Sequence, residues 1–387
     1  MQIIIGLITI LFPVWMIPVN LIFVAFSKKQ SKYYLVYLAL GLAMFALFFD
    51  MHGSAFDFSR YQNFMVSSSK AANPFVFVSQ QGMFTEWSNY PLFLVLSWAI
   101  GKTGFYQLLS VVGVLFAYII PVFVMQRNVD KVNFIYITGV FVVLTSSPAL
   151  IVISGIRYFI GMGLLVLIVF YIIPFVSRRL GLIVLWTPLL VHSATAIFIL
   201  LAYLVLSIKI KNILVRLTII SGVAFGFVMT LIGKIVVPGK IGNLLTTKLI
   251  AYSDANYVLP LDKIVINVPA AIVIVVFILL SVYGEKINDV DWAGIYWMMM
   301  YLIIYFFDRV MIERFTWFIL PVVALLLIRN MSFAKNDSAM KYLLMLVYIL
   351  LSLMVGQELF TQGLMYLLKN LLNPEIWTAN IFSYFFS

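Results

Sequence analysis

The sequence predicts an all-helical, polytopic integral membrane protein with about eleven to twelve transmembrane helices, including a short re-entrant or interfacial helix and a helical hairpin. Three observations carry this. Of 387 residues, 64% are hydrophobic and 10% charged, with a mean hydropathy of +1.11; no single core hides that much apolar surface from water. Apolar runs repeatedly reach ~20 residues, the length a helix needs to cross ~30 Å of hydrocarbon. The ten-residue alternating segments of a membrane β-barrel are absent.

In chain order, spans are expected at about 3–26, 33–50, 104–126, 133–152, 156–176, 216–237, 263–283, 292–308, 314–329 and 341–361. The stretch before the first lysines has neither a basic leader nor a small-residue cleavage site, so it reads as a retained span and not a signal peptide. Residues 90–101 are too short to cross and lie between polar segments, which fits a re-entrant or interfacial helix. Residues 180–207 carry basic residues at both ends: Arg178 and Arg179 before, Lys209, Lys211 and Arg216 after. Both ends therefore belong on the cytoplasmic side, and Pro188 and His192-Ser193 mark the apex of a hairpin. No repeat or linker divides the chain, so residues 1–387 read as one membrane domain with extracytoplasmic loops at 51–90 and 238–262.

The positive-inside rule sets the sidedness. The turns with Lys28, Lys29 and Lys32, with Arg127 and Lys131, with Arg178 and Arg179, and the segments 209–216 and 329–341 become cytoplasmic. Residues 283–291 belong with them yet carry only Lys286 against Glu285, Asp289 and Asp291; acidic residues weigh little in this rule. The net charge of +11 is thereby topological, and no nucleic-acid partner is expected. With no cysteine there is no disulfide, thiolate metal site or cysteine nucleophile. No metal or other cofactor is implied by any close cluster of ligands.

On this orientation the remaining charges collect at the outer ends of spans: Asp57, Arg60, Glu86, Arg157, His192, Arg309 and Arg314. Ionisable groups at a membrane edge are expensive and mark a site by default. Asp57 and Arg60 are three apart, so a helix would let them form a weak surface pair; the functional alternative is a carboxylate and a guanidinium at a cleft mouth with Tyr61, Trp87 and Tyr90 as stacking surfaces. Arg157 either snorkels to head groups or serves a site, and it is the only charge between Lys131 and Arg178. His192 is a hydrogen-bonded structural residue, a base for a hydroxyl, or a donor to phosphate. Arg309 and Glu313 are spaced for a helical pair, with Asp308 and Arg314 as a second; alternatively the arginines bind phosphate oxygens as bidentate forks. Walker, G-x-G-x-x-G, H-E-x-x-H and G-x-S-x-G motifs are missing.

Together, Asp57-x-x-Arg60-Tyr61, Glu86-x-x-x-Tyr90-Pro91, Gly155-x-Arg157, His192-Ser193-Ala194 and Arg314-Phe315 followed by Pro321 resemble the EpsG/Wzy-like family of exopolysaccharide and O-antigen polymerases. The resemblance covers about residues 50–325 and rests on order and shared sidedness. It departs at Arg60, where relatives usually carry Tyr or another residue, and at Asn89, where they often carry Gly. It implies a bacterial inner-membrane glycosyltransferase that joins polyprenyl-pyrophosphate-linked repeat units on the outer face. Arg157, Arg309 and Arg314 would hold pyrophosphate; His192 or Asp57, with Glu86 next, would act as base; Arg60, Tyr61, Trp87, Tyr90 and Tyr158 would contact substrate. The implied partners are the lipid-linked oligosaccharide, membrane lipid, a flippase and a chain-length regulator. A ligase of finished glycans shares the donor chemistry and sidedness, and a flippase is the rival from another class, though it would place its charges at mid-membrane. Arg178, in a cytoplasmic turn, is expected to be dispensable.

Overall fold

A computed structural model describes residues 2–26, 31–48, 57–80, 82–128, 134–146, 152–153, 155–207, 215, 218–219, 222–223, 288–307 and 309–329. Among these residues the regular structure is helical, with no strand. The predicted spans 216–237 (apart from isolated positions), 263–283 and 341–361, and the loop 238–262, lie outside the described residues, as does Asp308.

Helices α1 (Gln2–Leu11) and α2 (Pro13–Phe26) form one bent rod, because Pro13 has no N–H to offer. The amides of Phe12 and Met16 still reach the carbonyls of Ile8 and Phe12, at 2.8 and 3.1 Å, so the chain bends without breaking. Helix α3 (Ser31–Phe45) returns along α2, with Tyr34 stacked on Phe23 at 4.8 Å near the turn.

Of the segment 51–90, expected as a polar loop, the described residues 57–80 and 82–90 are largely helical. Helices α4 (Asp57–Ser68) and α5 (Pro74–Gln80) lead into a 3-10 stretch, Gly82–Asn89. The buried face of α4 is Phe58, Tyr61, Phe64, Met65 and Ser68, a helical spacing, while Asn63 and Ser67 face outward. Helix α6 (Pro91–Thr103) starts with proline in its first turn and ends at Gly104 (φ 76°), a left-handed position that favours glycine. A Cβ on Gly101 would lie 2.6 Å from the Met65 carbonyl oxygen, so glycine is what brings α6 onto α4. Its 13 residues span only about 20 Å at ~1.5 Å per residue, too short to cross a bilayer, in keeping with the short helix expected at 90–101.

Helices α7 (Leu108–Arg127) and α9 (Ile156–Phe175) are, among the described residues, the two long and apolar enough to cross a bilayer. Between them lies α8 (Phe134–Ser146). Both long helices contain a π turn, at Leu115–Ile119 and Ile168–Ile172, and each turn is followed two residues later by a proline, Pro121 or Pro174. Proline removes a ladder donor, and the wider turn is one way to absorb that loss.

The hairpin expected at 180–207 is present as α10 (Arg178–Val184), a 3-10 turn at Thr187–Leu190, and α11 (Thr195–Ser207). Its two ends meet. The Arg178 guanidinium donates to the carbonyls of Leu206 (2.9 Å) and Ser207, satisfying the C-terminal carbonyls of α11. Arg178 therefore clasps the two ends of the hairpin together.

Helices α12 (Asp289–Phe307) and α13 (Arg309–Arg329) run antiparallel. Arg329 Nε donates to Asp291 at 2.6 Å, and Arg329 Nη1 donates to Asn128 at the end of α7, 3.1 Å away. The acidic start of α12, which counted against its expected sidedness, is thus half of a shielded ion pair. Arg127 lies over Tyr171 and Phe175, at 4.5 and 4.0 Å from their centroids, so the ends of α7, α9 and α13 and the start of α12 share one pole. Arg157 begins α9 at the opposite pole, about 30 Å away by helix rise.

The Arg329 and Asp291 side chains are 14% and 4% exposed, so removing one partner strands the other. Asp291→Ala is expected to cost about 3 kcal/mol, read as a lowered melting temperature, whereas Asp291→Ala with Arg329→Met should recover most of it. A wild-type melting temperature in the single variant contradicts this.

Candidate functional site

The site forms where the first turn of α9 meets α4, the 3-10 stretch Gly82–Asn89 and the start of α6. Gly155 precedes α9, and its carbonyl accepts the Phe159 amide at 3.2 Å. Two residues later Arg157 sends its guanidinium into a box of four rings: Tyr90 at 4.7 Å, Phe93 at 5.8 Å, Trp87 at 5.9 Å and Tyr61 at 6.0 Å from the centroids. The rings brace one another, with Tyr61–Phe93 at 5.4 Å and Trp87–Phe93 at 5.6 Å. Trp87 and Tyr90 are each 1% exposed and Tyr61 4%. These aromatics were expected to present open faces for sugar stacking; packed among one another, they instead enclose a cation.

The enclosure leaves Arg157 under-satisfied. Tyr61 supplies a side-chain hydrogen bond, and the Glu86 carboxylate adds an electrostatic attraction. Nε and Nη1, however, are buried without a hydrogen-bond partner among the described residues. Ring faces offer a cation roughly 0.5–2 kcal/mol each at best, which does not replace hydrogen bonds to two guanidinium donors. A guanidinium so shielded is chemically suited to receive the oxygens of an anion.

Glu86 is held at the rim, where Arg60 donates to it at 3.0 Å. That partner lies 26 residues away in sequence; the Asp57 side chain, with which the i+3 spacing suggested a pair, lies outside the described residues. Both side chains are more than a third exposed, so the pair contributes little stability. The side chains of Asp57, Arg309 and Arg314 lie outside the described residues, although Asp57 opens α4 and the two arginines sit in the first turns of α13. Just beyond Arg314, Phe315 packs on Phe198 of α11 at 5.1 Å and Trp317 stacks on Phe159 of α9 at 6.1 Å. The start of α13 therefore runs beside the same pole.

His192 stands at the hairpin apex, its ring parallel to Tyr90 (6.2 Å, 18°) and edge-on to Tyr158 (5.8 Å, 89°). The Tyr90 hydroxyl shares a 3.0 Å buried hydrogen bond with Ser193. Tyr90 thus touches Arg157, His192 and the hairpin at once. Gly161 makes the approach possible, since a Cβ there would sit 3.0 Å from Thr195 Cγ2 and 3.2 Å from His192 Cβ.

The structure brings Tyr61, Glu86, Trp87, Tyr90, Arg157, Tyr158 and His192 into one cluster, with Arg60 at its rim. Sequence reasoning missed Phe93. Its place one helical turn after Tyr90, on the buried face with Leu94 and Ser97, was the available signal. No protein-family model matches the chain, and no curated protein or solved structure matches it either.

Proposed function

We propose that this chain is a multi-pass inner-membrane glycosyltransferase that polymerises polyprenyl-pyrophosphate-linked oligosaccharide repeat units at the outer face. The reading is carried by the Arg157 guanidinium, enclosed in its aromatic box at the pole opposite Arg178, with Nε and Nη1 lacking a hydrogen-bond partner among the described residues. In the reaction, an acceptor hydroxyl oxygen bonds to the anomeric carbon of the donor glycan. The bond from that carbon to the pyrophosphate oxygen breaks, the electron pair leaves on the pyrophosphate, and the hydroxyl proton passes to a base.

Negative charge therefore grows on the leaving group. A guanidinium fixed in a low-dielectric box stabilises that charge more than the ground state, and needs no reorganisation to do so. Arg309 and Arg314, at the start of α13, are the further cations assigned to the diphosphate. Glu86 and Asp57 are the carboxylates available to take the proton.

The test is reconstitution of the purified chain in liposomes with a defined polyprenyl-pyrophosphate-linked repeat unit. The proposal expects ladders of lengthening lipid-linked glycan and release of polyprenyl pyrophosphate. Transfer of a single finished glycan to another acceptor identifies a ligase, and movement of intact substrate across the bilayer identifies a flippase; either outcome overturns the polymerase reading.

A further inference from the structure

Ser193 stands at the hairpin apex and is buried although it is polar. Its hydroxyl shares a 3.0 Å hydrogen bond with the hydroxyl of Tyr90, 103 residues away in sequence. Buried hydroxyls are costly to leave without a partner, so this bond resists separation of the two side chains. Each end of it is anchored to its own backbone. The Tyr90 amide donates to the Trp87 carbonyl at 2.9 Å, and the Tyr90 carbonyl accepts the Leu94 amide at 2.9 Å, which ties the residue to the start of α6. The Ser193 carbonyl accepts the Ala196 amide at 3.0 Å, which ties that residue to the start of α11. Between these anchors the Tyr90 ring lies 4.7 Å from the Arg157 guanidinium, nearer than the rings of Phe93, Trp87 or Tyr61.

We infer that Ser193 is a positioning residue: its hydrogen bond to the Tyr90 hydroxyl holds that ring against Arg157 and so presets the guanidinium for the pyrophosphate oxygens of the lipid-linked glycan. This rests on the polymerase reading above. Tyr90 is fixed through its backbone at one end and through its hydroxyl at the other, with the cation facing the ring between them. A cation–π attraction depends on the cation staying over the ring face, and a displacement of about 1 Å in such a site costs up to roughly a hundredfold in activity. Ser193 is assigned no contact with the substrate; it acts through Tyr90. The same bond makes the anion site depend on the hairpin, because one of the four rings around Arg157 is held from the apex.

Two measurements on the full chain decide this. In nanodiscs of neutral lipid titrated with a short-chain polyprenyl pyrophosphate, Ser193→Ala and Tyr90→Phe should each weaken binding by about tenfold, and the double variant no further than either alone, since both remove one bond. In an Arg157→Ala background, Ser193→Ala should change the affinity by less than about twofold. Wild-type affinity in Ser193→Ala, additive losses, or the same tenfold loss without Arg157 overturns the inference. The second measurement needs no ligand. Ser193→Ala should lower the melting temperature in detergent more when Arg157 is present than in the Arg157→Ala background, because only then does a shifted ring also lose its cation. Equal shifts in the two backgrounds mark a bond that acts on the fold alone, and overturn the inference. A wild-type chain that does not bind the polyprenyl pyrophosphate refutes the pyrophosphate reading of the site, while the melting temperatures still decide whether Ser193 acts on Arg157 through Tyr90.

Discussion

Arg157→Ala is expected to lower glycan polymerisation by about a hundredfold to a thousandfold, the range lost when one preorganised charge-stabilising group is removed, while the protein stays folded. The two effects separate a functional arginine from a structural one. Arg157 Nε and Nη1 are shielded and have no hydrogen-bond partner among the described residues, so truncation removes a largely desolvated charge along with its interactions with Tyr61 and Glu86. A stability-bearing ion pair, such as Arg329–Asp291, would behave in the opposite way, losing melting temperature on truncation. Arg157→Ala should therefore melt at or above the wild-type temperature. Arg157→Lys should recover only part of the activity, because an ammonium keeps the charge but loses the planar fork. Wild-type chain lengths in the alanine variant would refute the role assigned to the guanidinium.

Gly163→Val is expected to yield little folded protein. Even an alanine Cβ at this position would overlap the Phe116 carbonyl oxygen and lie 2.9 Å from its carbon. Those are backbone atoms in the π turn of α7, so no side chain can rotate away. Gly163→Ala forces α9 and α7 apart at a cost of about 1–3 kcal/mol, and the larger, branched valine adds to it. Because α9 carries Arg157 and faces the His192 apex through Gly161, a shift of α9 should also misplace the site. The check is monodisperse yield and melting temperature in detergent; a Gly163→Val protein that melts like wild type would show that the contact is not limiting.

The hairpin was legible because charge is a long-range topological signal. Basic flanks on 180–207 implied a chain that turns back on itself, and Arg178 bonding to Leu206 and Ser207 shows its two ends meeting. The contacts of Arg178 were not legible, since a sequence shows where a guanidinium lies but not which carbonyls end beneath it. Helix α4 escaped notice because its outward face, with Asn63 and Ser67, lowers the mean hydropathy of the segment, while the buried 58, 61, 64, 65 and 68 spacing shows only as periodicity. Within the site, Arg157 and His192 stood out as isolated polar groups in apolar runs. The Arg60–Glu86 pair and the aromatic enclosure did not, because each joins elements distant in sequence.

The most direct test is a titration of the full chain, in nanodiscs of neutral lipid, with a short-chain polyprenyl pyrophosphate. Wild type is expected to bind it at least about tenfold more tightly than Arg157→Ala, a difference of ~1.4 kcal/mol, and more tightly than it binds the corresponding polyprenol. Equal affinity of the two proteins for the pyrophosphate would contradict the account.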